Sequence, residues 1–300
     1  MINGEVIKNS IISASEHISS RAEEINKINI FPVPDGDTGT NLALTVSGCA
    51  KAMKSCPYSG AGKIADYAAG ELLRCARGNS GVIFSLIFKG FAESVDGLDY
   101  IDAVSLANAL EAGCNEAYAA VEKPTEGTML TVIRLAASKA TSAAKNGANA
   151  KETFAAAVSG ARASLKSTPN LLPILKKHGV VDAGGQGLVC IMEGMLNFSG
   201  KSTEPHSSYE PKIRNETELT EFTYCTEFLI NNTKKIDIKE FRSFLSEIGN
   251  CSAAAEHSGI IKVHVHTNRP DIAIEKALKI GELSNIKIDN MRFQSAGMGR

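Results

Sequence analysis

The densest chemistry in the chain lies in Asn29-Ile-Phe-Pro-Val-Pro-Asp35-Gly-Asp37-Thr-Gly-Thr-Asn41. Two prolines stiffen the approach. Asp35 and Asp37 then stand one residue apart, with Gly36 between them and Gly39 just beyond. Paired carboxylates in a glycine-hinged turn offer hard oxygen ligands where the backbone can come close. That is the chemistry of Mg²⁺ or Ca²⁺, and for Mg²⁺ usually with phosphate attached. The competing reading is an ordinary turn, since Asp and Gly favour turns on their own account. Three further polar glycine turns follow: Arg77-Gly78-Asn79-Ser80-Gly81, Lys123-Pro-Thr-Glu-Gly127-Thr128-Met129, and Val180-Val-Asp182-Ala-Gly184-Gly185-Gln-Gly187. Ser80 is not read as an acyl-hydrolase nucleophile. That elbow needs Gly-x-Ser-x-Gly after a strand, whereas here the spacing is Gly-x-Ser-Gly after a helical pattern.

A second group lies near the C-terminus. His264 and His266 are two apart in an alternating stretch, so they share one face of a strand. With Cys225 on another strand they form a candidate soft or borderline metal set, with a fourth place for water or Glu227. Histidines on a strand are otherwise often exposed residues of its polar face, and the wide Cys-to-His separation is no finger pattern.

The elements that must position these groups change character along the chain. Apolar residues recur at helical steps over 5–27, 42–53, 62–76, 100–121, 128–144, 151–166 and 188–198, with an apolar run at 82–88. Thr38, Thr40 or Asn41 is expected to cap the helix after the Asp loop, leaving free N–H groups beside the carboxylates. Pro169 and Pro173 interrupt the pattern. In an antiparallel bundle, turns of like parity gather at one end, so the glycine turns predict a pocket at one mouth of a helical bundle. Residues 201–218 are polar and aperiodic and read as a linker. Beyond them, strands are expected at 222–230, 260–267 and 286–292, with helices at 238–248 and 271–279. The predicted organisation is an all-α region over 1–200, the linker, and a small α+β region over 219–300 with strand order β-α-β-α-β.

Bulk properties exclude several classes. A net charge of −1 gives no electrostatic basis for binding nucleic acid or an anionic membrane. No apolar run reaches membrane-span length, and the first residues lack the pattern of a signal peptide. Seven scattered cysteines without a CxxC pair fit reduced thiols. A cytoplasmic location is the expectation.

The four glycine turns, in this order, resemble the nucleotide-binding domain of the dihydroxyacetone kinase L subunit, in the version found in the bacterial fatty acid kinase catalytic subunit. After the linker, Tyr224-Cys-Thr-Glu-Phe228, Val263-His-Val-His-Thr267 and Lys287-Ile-Asp-Asn-Met-Arg292 resemble the middle domain of that catalytic subunit. The resemblance implies an antiparallel eight-helix barrel binding ATP or ADP with Mg²⁺ at one end. Asp35 and Asp37 match metal-binding carboxylates. A third, upstream in the L subunit, is replaced in this neighbourhood by Asn29 and Ile30. Asn41, Asn79, Ser80, Gly81, Thr128, Met129, Asp182 and Gly184 match the nucleotide-contacting stretches, and Thr38 stands where the L subunit has a histidine. Cys225, His264 and His266 match residues that resemble a zinc site.

By the same resemblance, a fatty acid presented by a separate acyl-binding protein is the acceptor, and a homodimer is left open. Full-length members carry a further C-terminal domain associated with that partner; here the chain stops at Arg300, so that domain is expected to be absent. The alternatives are one subunit of a dihydroxyacetone-type kinase and a non-catalytic, ADP-retaining regulatory module.

Overall fold

Helices formed by the apolar periodicity of the first two hundred residues close into a ring. The computed structural model describes residues 1–121, 123–198, 221–231 and 236–295; the expected linker, 201–218, lies outside them. The ring is built from α1 (Gly4–Lys27), α2 (Thr38–Met53), α3 (Ala61–Cys75), α4 (Gly78–Ser94), α5 (Ala103–Ala120), α6 (Met129–Lys145), α7 (Ala150–Leu171) and, after the one-and-a-half-turn α8 (Pro173–His178), α9 (Ala183–Asn197). Each long helix packs on the next, and α9 returns to α1. A two-residue ladder, β1 (Ile2–Asn3) with β2 (Tyr100–Ile101), ties the N-terminus to the start of α5. Inside the ring, Phe84, Phe88, Leu110, Ile133 and Met192 surround an apolar cavity of about 270 Å³.

The helix expected to stop at Lys166 runs on through Pro169 to Leu171. Proline removes the N–H that would bond Leu165 O, and the Thr168 hydroxyl donates to that carbonyl instead, at 2.7 Å. Pro173 then opens α8 at a position where the missing N–H has no consequence.

The second part holds β3 (Tyr224–Asn231), α10 (Ile238–Ile248), β4 (Gly249–His257), β5 (Ile260–Thr267), α11 (Pro270–Leu278), β6 (Glu282–Asn290) and a short α12 (Met291–Ser295). The strands form one antiparallel sheet in the order β4-β5-β3-β6. The sequence predicts three strands; the missed one is β4. Its residues, Gly-Asn-Cys-Ser-Ala-Ala-Ala-Glu-His, lack the branched and aromatic side chains that mark a strand. Their smallness has a packing cause. Ala253 and Ala255 lie in a buried cluster with Leu73, Ala76, Val82, Leu86 and Ala120, so the ring sits directly on the sheet there. On the opposite face Phe228, Ile230, Val263 and Val265 form a separate core with α10 and α11.

Candidate functional site

Alternation along the strands sends Cys225 and Glu227 of β3 and His264 and His266 of β5 to the face that meets the helical ring. The register pairs Cys225 with His266 and Glu227 with His264, while Asp289 and Lys287 of β6 stand opposite Cys225 and Glu227. Against them lie Asp35, Asp37, Thr38 and Asn41 from the loop before α2 and its first turn, and Gly78, Asn79 and Ser80 from the start of α4. All of these line one cavity of about 50 Å³. A second cavity of about 320 Å³ shares Pro32, Asn79 and Ser80 with the first, and brings in Thr128, Met129, Asp182 and Gly184. Its far wall is the turn from α10 into β4, including Ser246 and Gly249–Ser252. The four glycine turns therefore meet at one mouth of the ring, and the sheet closes it. Gly81 alone among the expected residues lines neither cavity. Its N–H bonds Arg77 O at 3.0 Å within α4, and a Cβ there would lie 2.5 Å from Thr45 Oγ1, where α4 meets α2.

The Asp loop is held by two asparagines that no spacing rule singles out as braces. Asn29 Oδ1 accepts from Thr38 N at 3.0 Å, while its Nδ2 donates to Val33 O. Asn26 Oδ1 accepts from Gly39 N and Thr40 N at 2.8 and 3.1 Å. These contacts correct the expectation of free N–H groups at the start of α2: Asn26 and Asn29 hold those amides, and no hydroxyl caps the helix. The open helix terminus beside the carboxylates is that of α4, whose residues Asn79 and Ser80 lie in the first turn, where no intrahelical carbonyl reaches an amide. Gly36 has φ +67°, which admits the tight Asp-Gly-Asp turn only without a side chain.

The electrostatics show what each cluster lacks. Burial, and then the neighbouring Asp37, push the Asp35 carboxyl well above its usual range. A buried carboxyl whose charge is disfavoured by a second carboxylate beside it makes a site that a divalent cation would relieve. Among the described residues, only Cys225, His264 and His266 bring three ligand atoms together, within 4.8 Å of one another. His264 Nε2 and His266 Nδ1 are buried and have no hydrogen-bond partner. Burial lowers His266 to about 3, whereas at His264 the same burial is outweighed by Cys225 and Glu227, which raise it to about 10. His264 Nδ1 lies 3.1 Å from Glu227 Oε1, the arrangement in which a carboxylate orients a metal-bound histidine. Two orphaned imidazole nitrogens beside a thiol suit a borderline metal such as zinc.

Residues 32–197 match the DAK2 domain, and residues 221–298 match the middle domain of the fatty acid kinase A-like family. The chain belongs to the DAK2 domain family. That domain is the ATP-binding domain of the dihydroxyacetone kinase family. Among curated proteins the chain is 37% identical to Protein YloV of Bacillus subtilis over 310 residues, covering 98% of the chain and 56% of that protein. It is equally similar, with the same coverage, to a protein of Staphylococcus epidermidis. The chain thus spans little more than half the length of the curated relatives it matches. The dihydroxyacetone kinase of C. freundii, solved in complex with AMP-PNP and Mg²⁺, shares the fold with a TM-score of 0.50 and 18% identity, over 66% of this chain and 34% of that one. No helix among the described residues is long and apolar enough to cross a membrane.

Within the DAK2 domain the remaining two turns are braced from behind. Glu126 accepts from Tyr118, Thr131 and Arg134 at 2.8, 2.6 and 2.7 Å, and Gly127 N donates to Thr131 Oγ1, which fixes the turn entering α6. Asp182 caps α9 by accepting from Gly185 N at 2.6 Å, and burial pushes its carboxyl up to about 7. An acid raised in the folded state binds its proton more tightly there than in the unfolded chain. Its contribution to stability is complete below the ordinary aspartate value of 3.8 and lost as pH rises through about 7. We expect Asp182→Asn, whose amide oxygen keeps the Gly185 bond, to remove this decline. Between pH 5 and 8 the wild type should lose on the order of a few kcal/mol relative to the variant, read from denaturant midpoints across that range.

Proposed function

We propose that the chain binds Mg·ATP between its helical and sheet parts and transfers the γ-phosphoryl group to the carboxylate of a fatty acid held by a separate acyl-binding protein. The observation that carries this reading is that the two cavities are adjacent, sharing Pro32, Asn79 and Ser80 as a wall. The Asp35/Asp37 pair and the open N-terminus of α4 lie in one, and the remaining glycine turns, with room for a nucleoside, lie in the other. Asn79 and Ser80 would then stand between the two cavities, with Thr128, Met129, Asp182 and Gly184 around the nucleoside, and Thr38 and Asn41 beside the phosphates. The C. freundii kinase, solved with AMP-PNP and Mg²⁺, supports the same ligand class. The matched middle domain supports the fatty acid acceptor, the partner protein, and a division of the chain near 200 and 219.

Phosphoryl transfer asks the protein for positioning and charge neutralisation more than for covalent chemistry. When bound, Mg²⁺ would supply positive charge that neutralises the phosphate oxygens. Asp35 and Asp37 would hold it, and their mutual repulsion would be relieved. The amides of Asn79 and Ser80 face the phosphates from the positive end of α4. An acceptor carboxylate oxygen forms the new bond to phosphorus as the bond to the β,γ-bridging oxygen breaks, giving acyl phosphate and ADP. That carboxylate is already ionised at neutral pH, so no general base is needed. Zn²⁺ would be held by Cys225, His264 and His266, and would stiffen the sheet face that covers the site.

The deciding experiment mixes the chain with Mg·ATP and an acyl-loaded partner from the same cell, and traps acyl phosphate as the hydroxamate. ATP-dependent hydroxamate is the expected result. Tight nucleotide binding with no turnover would favour a nucleotide-retaining regulatory module instead, and turnover with dihydroxyacetone would favour the other kinase reading.

A further inference from the structure

We propose that Glu227 is a positioning residue that couples the Cys225–His264–His266 cluster to the nucleotide turn of α4, so that a metal ion and a nucleotide each raise the affinity for the other. The inference rests on the nucleotide reading above and adds a linkage to it. Glu227 is 3% exposed, and its carboxylate is held at three points. Oε1 accepts from Gly78 N at 2.7 Å across the two parts of the chain. The same oxygen lies 3.1 Å from His264 Nδ1, and Oε2 accepts from Lys262 Nζ at 3.0 Å. Gly78 is the first residue of α4, and its amide is one that the helix cannot satisfy itself. The residues it leads into, Asn79 and Ser80, line both cavities.

The turn is packed closely on both sides of that carboxylate's contact. Gly78 has φ +59°, and a Cβ there would lie 2.5 Å from Asn41 Nδ2. On its other side, Arg77 N donates to Thr45 Oγ1 at 3.1 Å. A cation held by Cys225, His264 and His266 would fix the His264 ring, whose Nδ1 lies 3.1 Å from Glu227 Oε1. The same ring nitrogen lies 3.8 Å from Cys225 Sγ, a second contact between the cluster and the atoms around Glu227. Metal occupancy therefore fixes Oε1, Oε1 fixes Gly78 N, and Gly78 fixes the phosphate-facing amides. Lys262 holds the other oxygen independently of the cluster, so the coupling is graded rather than all-or-none.

The test uses the full chain in zinc-loaded and chelator-stripped forms. Mg·ADP is titrated into each, and zinc affinity is measured by chelator competition with and without Mg·ADP. The expected result is nucleotide binding about fivefold or more tighter in the zinc form, with the same factor in the reverse direction, as linkage requires. Glu227→Ala should bring both ratios to one, and Glu227→Gln, which keeps an acceptor for Gly78 N, should retain part of the coupling. A glutamine variant as uncoupled as the alanine one would overturn the role of the Gly78 bond. Equal nucleotide affinities in the two zinc states of the wild type would overturn the proposal and leave the nucleotide reading standing. Absence of any nucleotide binding would overturn both. Should Glu227→Ala fail to fold, the two wild-type titrations decide alone.

Discussion

Asp37→Ala is expected to weaken Mg·nucleotide binding by about 100-fold while leaving the unliganded protein at least as stable as the wild type. The two halves of this result have different causes. Losing one of two carboxylate contacts to a dication removes about 3 kcal/mol of charge-assisted interaction, which is about 100-fold in affinity. In the unliganded chain, however, Asp37 makes no side-chain cap to α2, and its charge raises the Asp35 carboxyl. Removing it relieves a repulsion at the expense of the side-chain hydrogen bond between the two carboxyls, and breaks no helix cap. Calorimetric titration with Mg·AMP-PNP, together with thermal melts with and without the ligand, separates the two effects. A ligand-induced stabilisation that persists in the variant would show that the cation sits elsewhere.

Gly39→Ala is expected to destabilise the fold by roughly 2–3 kcal/mol, the scale of overpacking in a close-packed contact. A Cβ at Gly39 would lie 2.1 Å from Ala22 O and 2.9 Å from Asn26 Oδ1. The first of these is backbone, so relief requires α1 and α2 to move apart. Asn26 is the residue that holds the amides of Gly39 and Thr40, so that movement would also loosen the Asp loop. The prediction is a fall in the denaturant midpoint accompanied by weaker Mg·nucleotide binding in whatever fraction remains folded. A variant with wild-type stability would mean that α1 and α2 are less tightly apposed than this contact requires.

The helical part was legible because its apolar residues recur at helical steps over long stretches, as Ile7, Ile11, Ile18 and Ile25 do in α1. The gathering of the glycine turns followed from parity in an antiparallel ring. Three features were not legible, each because a long-range contact decides them. β4 is made of small residues since the ring packs on it through Ala253 and Ala255, which erases the strand signal. The start of α2 looked like an open anion site because nothing local reveals that Asn26 and Asn29, from the end of α1 and the loop beyond it, occupy its amides. Glu227 was visible as a candidate fourth ligand sharing a strand face with Cys225, not as a bridge to α4. Its bond to Gly78 spans 149 residues of sequence, and no spacing rule reaches that far. The candidate ligands, by contrast, were named from residue type and strand alternation, and the structure brings Cys225, His264 and His266 within 4.8 Å of one another.

The most direct measurement is a crystal structure of the chain grown with Mg·AMP-PNP. Density for the cation is expected between the carboxylates of Asp35 and Asp37. The triphosphate should lie against the amides of Asn79 and Ser80, and the nucleoside in the cavity beside Thr128 and Asp182. A nucleotide bound away from the Asp loop, or a triphosphate approached by the start of α2 in place of α4, would contradict the proposed site.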